Sequence, residues 1–268
     1  MHSNAGLFRA LHAGPKLLIL PNAWDAGSAR VIERAGAKAI ATSSAAIAWA
    51  RGYPDGQFLP FGTLLATLGE IVRIVRIPVS ADIESGYAAT AAEIEDRIAR
   101  VLDAGVVGVN IEDGTEPPDL LCAKIERAKA VATRAGVDLW VNARVDVYIR
   151  NQASGQAAFD ETVRRAALYR IAGADSMFVP ALVDADTIAH MVPRIGLPFN
   201  ALAWPGLPDA AWLESFGVRR LSAGGGLARA SLDRTFRLAN AFLADGRVEA
   251  LNDPPPILLR INDLMRGD

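Results

Sequence analysis

The 268-residue chain has a single cysteine, Cys122, and only three histidines, His2, His12 and His190. One cysteine excludes an internal disulfide framework and a thiolate zinc site, and the histidines stand too far from one another and from the acidic segments to suggest a zinc centre. No sign of charge dominates: 28 Lys and Arg against 30 Asp and Glu leave a formal net charge of −2. That balance supplies no basic field for nucleic acid or an anionic membrane. No run approaches the roughly 18 uninterrupted apolar residues of a membrane span, and Met1-His2-Ser3-Asn4 lacks the basic-then-apolar order of a signal peptide. A cytoplasmic protein with neither nucleic-acid nor membrane partners is expected. Lysine is scarce as well. Only Lys16, Lys38, Lys124 and Lys129 occur, none at the predicted C-terminal end of a strand, which argues against a Schiff-base aldolase.

What the chain does have is rhythm. Eight short strand candidates, most of them apolar throughout, at 17–20, 39–42, 77–81, 106–111, 139–143, 176–179, 198–203 and 219–222, alternate with stretches of helical period. Ile94, Ile98, Val101 and Leu102 mark one such helix; Leu121, Ile125, Ala128 and Ala132 mark the next. Gly36, Gly105, Gly136, Gly173 and Gly217 each close a helix just before a strand, where φ > 0 is needed. Strands that are apolar throughout are covered on both faces, and strand–helix alternation implies parallel pairing. The pattern predicts one α/β domain over 1–268, a TIM-type (βα)8 barrel. A doubly wound sheet is disfavoured because no Gly-x-Gly-x-x-Gly follows the first strand. Pro254-Pro255-Pro256 reads as a stiff linker, making 248–268 a tail with a short helix at 257–265 that packs elsewhere or on a partner subunit.

In such a barrel the loops after the strands share one face, and that face carries the active site. The strand ends and loops deliver Asn22, Asp25, Ser43, Ser44, Asp82, Glu84, Glu112, Arg144 and Asn200, with Asp55 on a long loop. Strand alternation points Asp82 and Glu84 the same way. Oxygen donors without His or Cys suit Mg²⁺ or Mn²⁺, with Asp82 as direct ligand and Glu84, Glu112 and Asp55 holding coordinated water. Arg144 suits bidentate capture of a carboxylate or phosphonate, or else a salt bridge to Asp146 or Glu112. Thr42-Ser43-Ser44 offers hydroxyls and backbone N–H groups, while Gly224-Gly225-Gly226 reads first as a flexible turn. Cys122 reads as a packed thiol on a helix.

Taken in order, Pro21-Asn22-Ala23-Trp24-Asp25, Thr42-Ser43-Ser44, Gly52-Tyr53-Pro54-Asp55, Ala81-Asp82-Ile83-Glu84-Ser85-Gly86-Tyr87, Asn110-Ile111-Glu112-Asp113 and Asn142-Ala143-Arg144 resemble the isocitrate lyase/phosphoenolpyruvate mutase superfamily. The resemblance implies a Mg²⁺-dependent barrel acting on 2-oxo acids or related carboxylates. Such enzymes cleave C–C or P–C bonds. It implies that Asp82 binds the metal, that Asp55, Glu84 and Glu112 reach it through water, and that Ser43, Ser44, Arg144 and Asn200 grip the substrate, with Asp55, Glu112 and Arg144 at the chemistry. It also implies a homo-oligomer, a dimer or tetramer, exchanging a C-terminal helix. Lyases of the superfamily carry a Lys-Lys-Cys-Gly-His type loop after the glutamate matching Glu112. Here the run is Gly114-Thr115-Glu116-Pro117-Pro118-Asp119. Decarboxylation of a 2-oxo diacid through a metal-stabilised enolate needs no base to start it, so a decarboxylase or atypical lyase is the expectation. Phosphonopyruvate-type P–C chemistry and a non-catalytic 2-oxo acid binder are the rivals.

Overall fold

The computed structural model describes residues 4–252 and 261–266. The predicted linker Pro254-Pro255-Pro256 lies outside them. All the strand pairings are parallel, and the order around the sheet is β1-β9-β8-β7-β6-β5-β4-β3-β2. Here β1 is Leu18–Leu20, β2 Asn22–Ala23, β3 Ile40–Thr42, β4 Val79–Asp82, β5 Gly108–Glu112, β6 Trp140–Arg144, β7 Ser176–Phe178, β8 Phe199–Leu202 and β9 Val218–Ser222. The two ends of that order are halves of one strand. Pro21, which has no N–H to donate, separates β1 from β2, yet its carbonyl still accepts from Ala41 N at 3.1 Å. The first half pairs with β9 and the second with β3, so eight staves close into a barrel as the rhythm predicts.

Helices follow the staves. They are α2 (Ala26–Arg34), α3 (Ser44–Ala50), α4 (Phe61–Ile74), α5 (Ile94–Asp103), α6 (Pro118–Arg134), α7 (Gly155–Ile171), α8 (Ala185–Ile195), α9 (Ala210–Ser215) and α10 (Gly226–Asp245). Ile94, Ile98, Val101 and Leu102 of α5 are buried, as are Leu121, Ile125, Ala128 and Ala132 of α6, so the helical period reports the sheet-facing stripe. Gly105 shows why glycine stands between α5 and β5. Its φ is +87°, and a Cβ there would meet Val72 Cγ1 at 2.8 Å.

Before the first stave, α1 (Asn4–Ala13) packs under the end of the barrel opposite the strand C-termini. Phe8 and His12 are buried there, and the His12 ring stacks on Trp140 at 4.3 Å. Burial, aided by the charge of Arg220, pushes His12 down to about 3, so it is neutral at physiological pH. Gly108 makes room for this plug. A Cβ on it would lie 2.8 Å from Phe8, 3.1 Å from Ser80 Oγ and 3.3 Å from Trp140 O.

Two helices near the C-terminal end bear on the expected tail. The short helix α11 (Ile261–Arg266) lies on α2 of its own chain: Leu264 is buried, and Arg30 Nε donates to Leu264 O at 2.9 Å. The helix without cover is instead α10, which shows Leu232, Phe236, Phe242 and Leu243 to solvent. Beside it, Ile19 on the outer face of β1 is 60% exposed, in a groove of about 730 Å³ lined by Leu17, Val31, Ile32 and Leu227. A stave's outer face is normally covered by a helix, so this bare strip marks the missing layer.

Candidate functional site

A cavity of about 190 Å³ opens at the C-terminal ends of the strands. Asn22, Ser43, Ser44, Asp55, Asp82 and Arg144 all line it, joined by Asn110, Phe178, Ser222 and Gly225. Asp82 ends β4 with its carboxylate fixed from two sides. Ser44 Oγ donates to Oδ2 at 3.0 Å and Ser44 N to the same oxygen at 3.3 Å, while Glu84 N donates to Oδ1 at 3.3 Å. Its own N–H goes to Thr42 Oγ1 at 3.0 Å. The predicted hydroxyl motif is therefore turned inward. Ser44 holds Asp82, and Ser43 caps α3 by accepting from Ala46 N at 3.3 Å.

Glu84 comes near Asp82 by a different route from the one alternation suggests. The strand stops at Asp82, and Glu84 sits in left-handed backbone at φ 51°, a conformation that costs a non-glycine residue about 1–3 kcal/mol. Its Oε1 accepts from Tyr87 OH at 2.9 Å, and its carbonyl accepts from Glu112 N at 3.0 Å. Lys124, buried on α6, pins the same loop by donating to Ser85 O at 2.8 Å and Ala88 O at 2.7 Å. Burial, reinforced by the charge of Asp82, pushes Glu84 up to about 7. The same two causes raise Asp55, and burial raises Glu112 against the pull of Arg144.

Arg144 makes both salt bridges that the sequence offered as one reading of its role. Its Nε and Nη2 donate to the buried Asp146 at 2.6 and 3.1 Å, and Nη1 lies 2.7 Å from Glu112 Oε2. That last contact is an ion pair outside hydrogen-bond alignment, which leaves Glu112 Oε2 without an aligned donor. Three guanidinium N–H groups, two on Nη1 and one on Nη2, make no aligned hydrogen bond. Arg150 adds a second cation at the rim, 2.8 Å from Asp146 and 3.8 Å from Glu112. Asp113 anchors this arrangement from behind, accepting from Asp146 N, Arg165 Nη1 and Tyr169 OH.

Other predicted residues fall elsewhere. Asp25 caps α2, accepting from Ser28 N at 2.6 Å in a capping box. Asn200 lies in the lumen, bonded to Ser222 Oγ at 3.2 Å, its Nδ2 without a partner. Cys122 is half-buried on α6, its thiol pushed up by burial. The run 114–119 forms the turn into α6 and puts no Lys, Cys or His beside Glu112. Sequence reasoning missed Asn110, Asn142 and Arg220. Their signal was period two, in Ser80/Asp82, Asn110/Glu112, Asn142/Arg144 and Arg220/Ser222, which marks a polar lumen face inside segments that look uniformly apolar.

The oxygen-only donor set fits a hard cation, and Glu112 Oε2 is a buried acceptor in need of one or of its water. Among the described residues no trio of His, Cys, Asp or Glu converges closely enough to hold an ion by side chains alone.

The comparisons agree with this architecture. Residues 8–243 match the family model for phosphoenolpyruvate phosphomutase. The chain is 37% identical over 218 residues to an uncharacterised protein of Mycobacterium tuberculosis, covering 81% of each. It is 29% identical over 201 residues to 2-methylisocitrate lyase of Bacillus subtilis (strain 168), covering 74% of this chain and 66% of that one. The crystal structure of a phosphonopyruvate hydrolase complexed with oxalate and Mg²⁺ shares the fold, with a TM-score of 0.87, 24% identity, and coverage of 99% of this chain and 96% of that one. The chain belongs to the phosphoenolpyruvate phosphomutase family, within the isocitrate lyase/phosphoenolpyruvate mutase superfamily.

Proposed function

We propose that the protein is a Mg²⁺-dependent lyase or decarboxylase that cleaves a C–C bond in a 2-oxo acid or related carboxylate. The observation that carries this reading is the meeting of Asp82, fixed by Ser44, with Arg144 in one small cavity. Asp82 would ligate the metal, and Asp55, Glu84 and Glu112 would hold its waters. When bound, the metal would polarise the 2-oxo group and offset the negative charge that develops as a bond to C3 breaks.

The protein's own groups supply the rest. Arg144, locked between Asp146 and Glu112, offers its free N–H groups to a substrate carboxylate without losing side-chain entropy at the moment of binding. Phe178, whose ring lies 6.0 Å from the Arg144 guanidinium carbon, walls the cavity with apolar surface that strengthens this charge. Glu84, pushed up to about 7, is poised to exchange a proton near neutral pH. No thiol acid stands beside Glu112, which favours a reaction begun by loss of CO₂ over a retro-aldol cleavage.

The test is a Mg²⁺-dependent turnover screen of oxaloacetate, methylisocitrate, 2-oxoglutarate and phosphonopyruvate. Release of CO₂ or a C–C cleavage product is expected, and Asp82→Ala is expected to abolish it. Turnover of phosphonopyruvate alone would shift the reading to P–C chemistry, and metal-dependent binding without turnover of any would make the protein a 2-oxo acid binder. For assembly, we infer a homo-oligomer in which α10 of one protomer covers the β1 groove of another, because both are apolar surfaces left uncovered within one chain.

A further inference from the structure

Among the described residues Arg220 is the largest fully buried side chain, 1% exposed, and no carboxylate forms a salt bridge with it. It sits on β9 in register with Leu18 of β1 and Asn200 of β8, so its side chain enters the lumen from that wall. Its one hydrogen bond crosses to the opposite wall, where Nη2 donates to Asn110 Oδ1 on β5 at 3.2 Å. Asn110 lines the floor of the catalytic-face cavity, so the guanidinium lies directly beneath that floor. Arg220 Nε and Nη1 have no partner, and Ser80 Oγ and Asn200 Nδ2 share that state.

A guanidinium taken out of water with one neutral acceptor destabilises the fold, and a hydrophobic residue would fill the space without that cost. Burial pushes its pKa down to about 9, and the charge of Asp82 pulls it back, so it remains a cation at neutral pH. The rest of the lumen is already held together without it. Trp140 Nε1 donates to Ser176 Oγ at 2.8 Å, Ser176 Oγ to Asn142 Oδ1 at 2.6 Å, and Asn142 Nδ2 to Asn110 Oδ1 at 2.8 Å. What Arg220 adds to this network is charge. Asp55 and Asp82 line the cavity, Glu84 and Glu112 lie near enough to feel the charge of Asp82, and the charge of Arg144 is offset by Glu112 and Asp146. Such a cavity attracts a divalent cation strongly and repels a dianion.

We propose that Arg220, bonded to Asn110 under this cavity, acts by a permanent positive charge near Asp82 that biases the metal-loaded site toward dianionic oxo acids. The inference rests on the functional reading above and deepens it. A fixed cation at this depth moves the affinities of a cation and an anion in opposite directions, whereas a residue that only supports the floor moves both the same way.

Calorimetry on the full chain separates the two. Mg²⁺ is titrated alone, and oxalate is then titrated at saturating Mg²⁺, for wild type, Arg220→Lys, Arg220→Met and Arg220→Gln. The neutral variants are expected to bind Mg²⁺ more tightly and oxalate more weakly, changing the ratio of the two affinities by about tenfold or more. Arg220→Lys should keep that ratio within about threefold of wild type. Parallel weakening of both ligands, or no change in either, overturns the proposal. So does failure of both neutral variants to fold while Arg220→Lys folds and binds normally, since the charge would then serve the barrel and not the site. Wild type that binds neither ligand overturns the functional reading and this inference together. Wild type that binds both, with neutral variants unchanged, overturns this inference alone.

Discussion

Single residues at the mouth are held in states that water would not favour, and Glu84 shows the consequence for stability. Its folded-state pKa of about 7 stands above its ordinary 4.5 because of burial and then Asp82. Between those values the folded chain keeps a proton that the unfolded chain has released, so this contribution to stability is complete below about 4.5 and is lost as pH rises through 7. His12, pushed down to about 3 by burial, works the opposite way up to its ordinary 6.5. The clean measurement is therefore a difference. Relative to wild type, Glu84→Gln should gain stability in the absence of metal as pH rises from about 5 to about 7.5, by on the order of 3 kcal/mol in denaturant unfolding. A constant difference across that range would contradict the assignment. Excess Mg²⁺ should shrink the gain by stabilising the ionised wild-type site.

Elements place these residues, and their seams are where small changes tell. The β4 end delivers Asp82, the turn after it carries Glu84 in strained backbone, and Lys124 reaches from α6 to clamp that turn. At the opposite end, α1 closes the barrel only because β5 begins with a glycine. Gly108→Ala should destabilise the fold by about 1–3 kcal/mol, since its methyl would press on Phe8, Ser80 and the Trp140 carbonyl at once. Equilibrium unfolding checks this, and an unchanged midpoint would mean that α1 docks more loosely than the packing implies. The period-two polar positions belong to this scale too. Asn110 and Asn142 were hidden inside segments read as apolar strands, and Arg220 inside a short strand candidate, because a lumen lined by hydrogen-bonded polar groups needs only one polar residue in every two.

At the scale of the whole molecule, the bare strip over β1 and the apolar length of α10 point to assembly. Phe236 is 67% exposed on a helix that a monomer has no reason to make apolar. Sedimentation of the wild-type chain should show a dimer or larger species, and Phe236→Asp combined with Leu243→Asp should shift it toward monomer. A monomeric wild type would remove the exchange from consideration. The short terminal helix α11, whose sequence left open packing elsewhere or on a partner subunit, lies on α2 of its own chain through Leu264 and Arg30.

The strand–helix rhythm, the glycines that end the helices and the ordered acidic motifs were legible in the sequence, because periodicity, left-handed φ and residue chemistry are local properties. They determined a parallel barrel and an oxygen-rich site at its C-terminal mouth. Which hydroxyl holds Asp82, how Arg144 divides itself between Glu112 and Asp146, and which helix is left uncovered depend on where distant segments meet. Above all, an arginine in the last strand gives no local sign that it will cross the lumen to Asn110, 110 positions earlier in the chain. That contact exists only once the barrel has closed, so only the tertiary structure decided it.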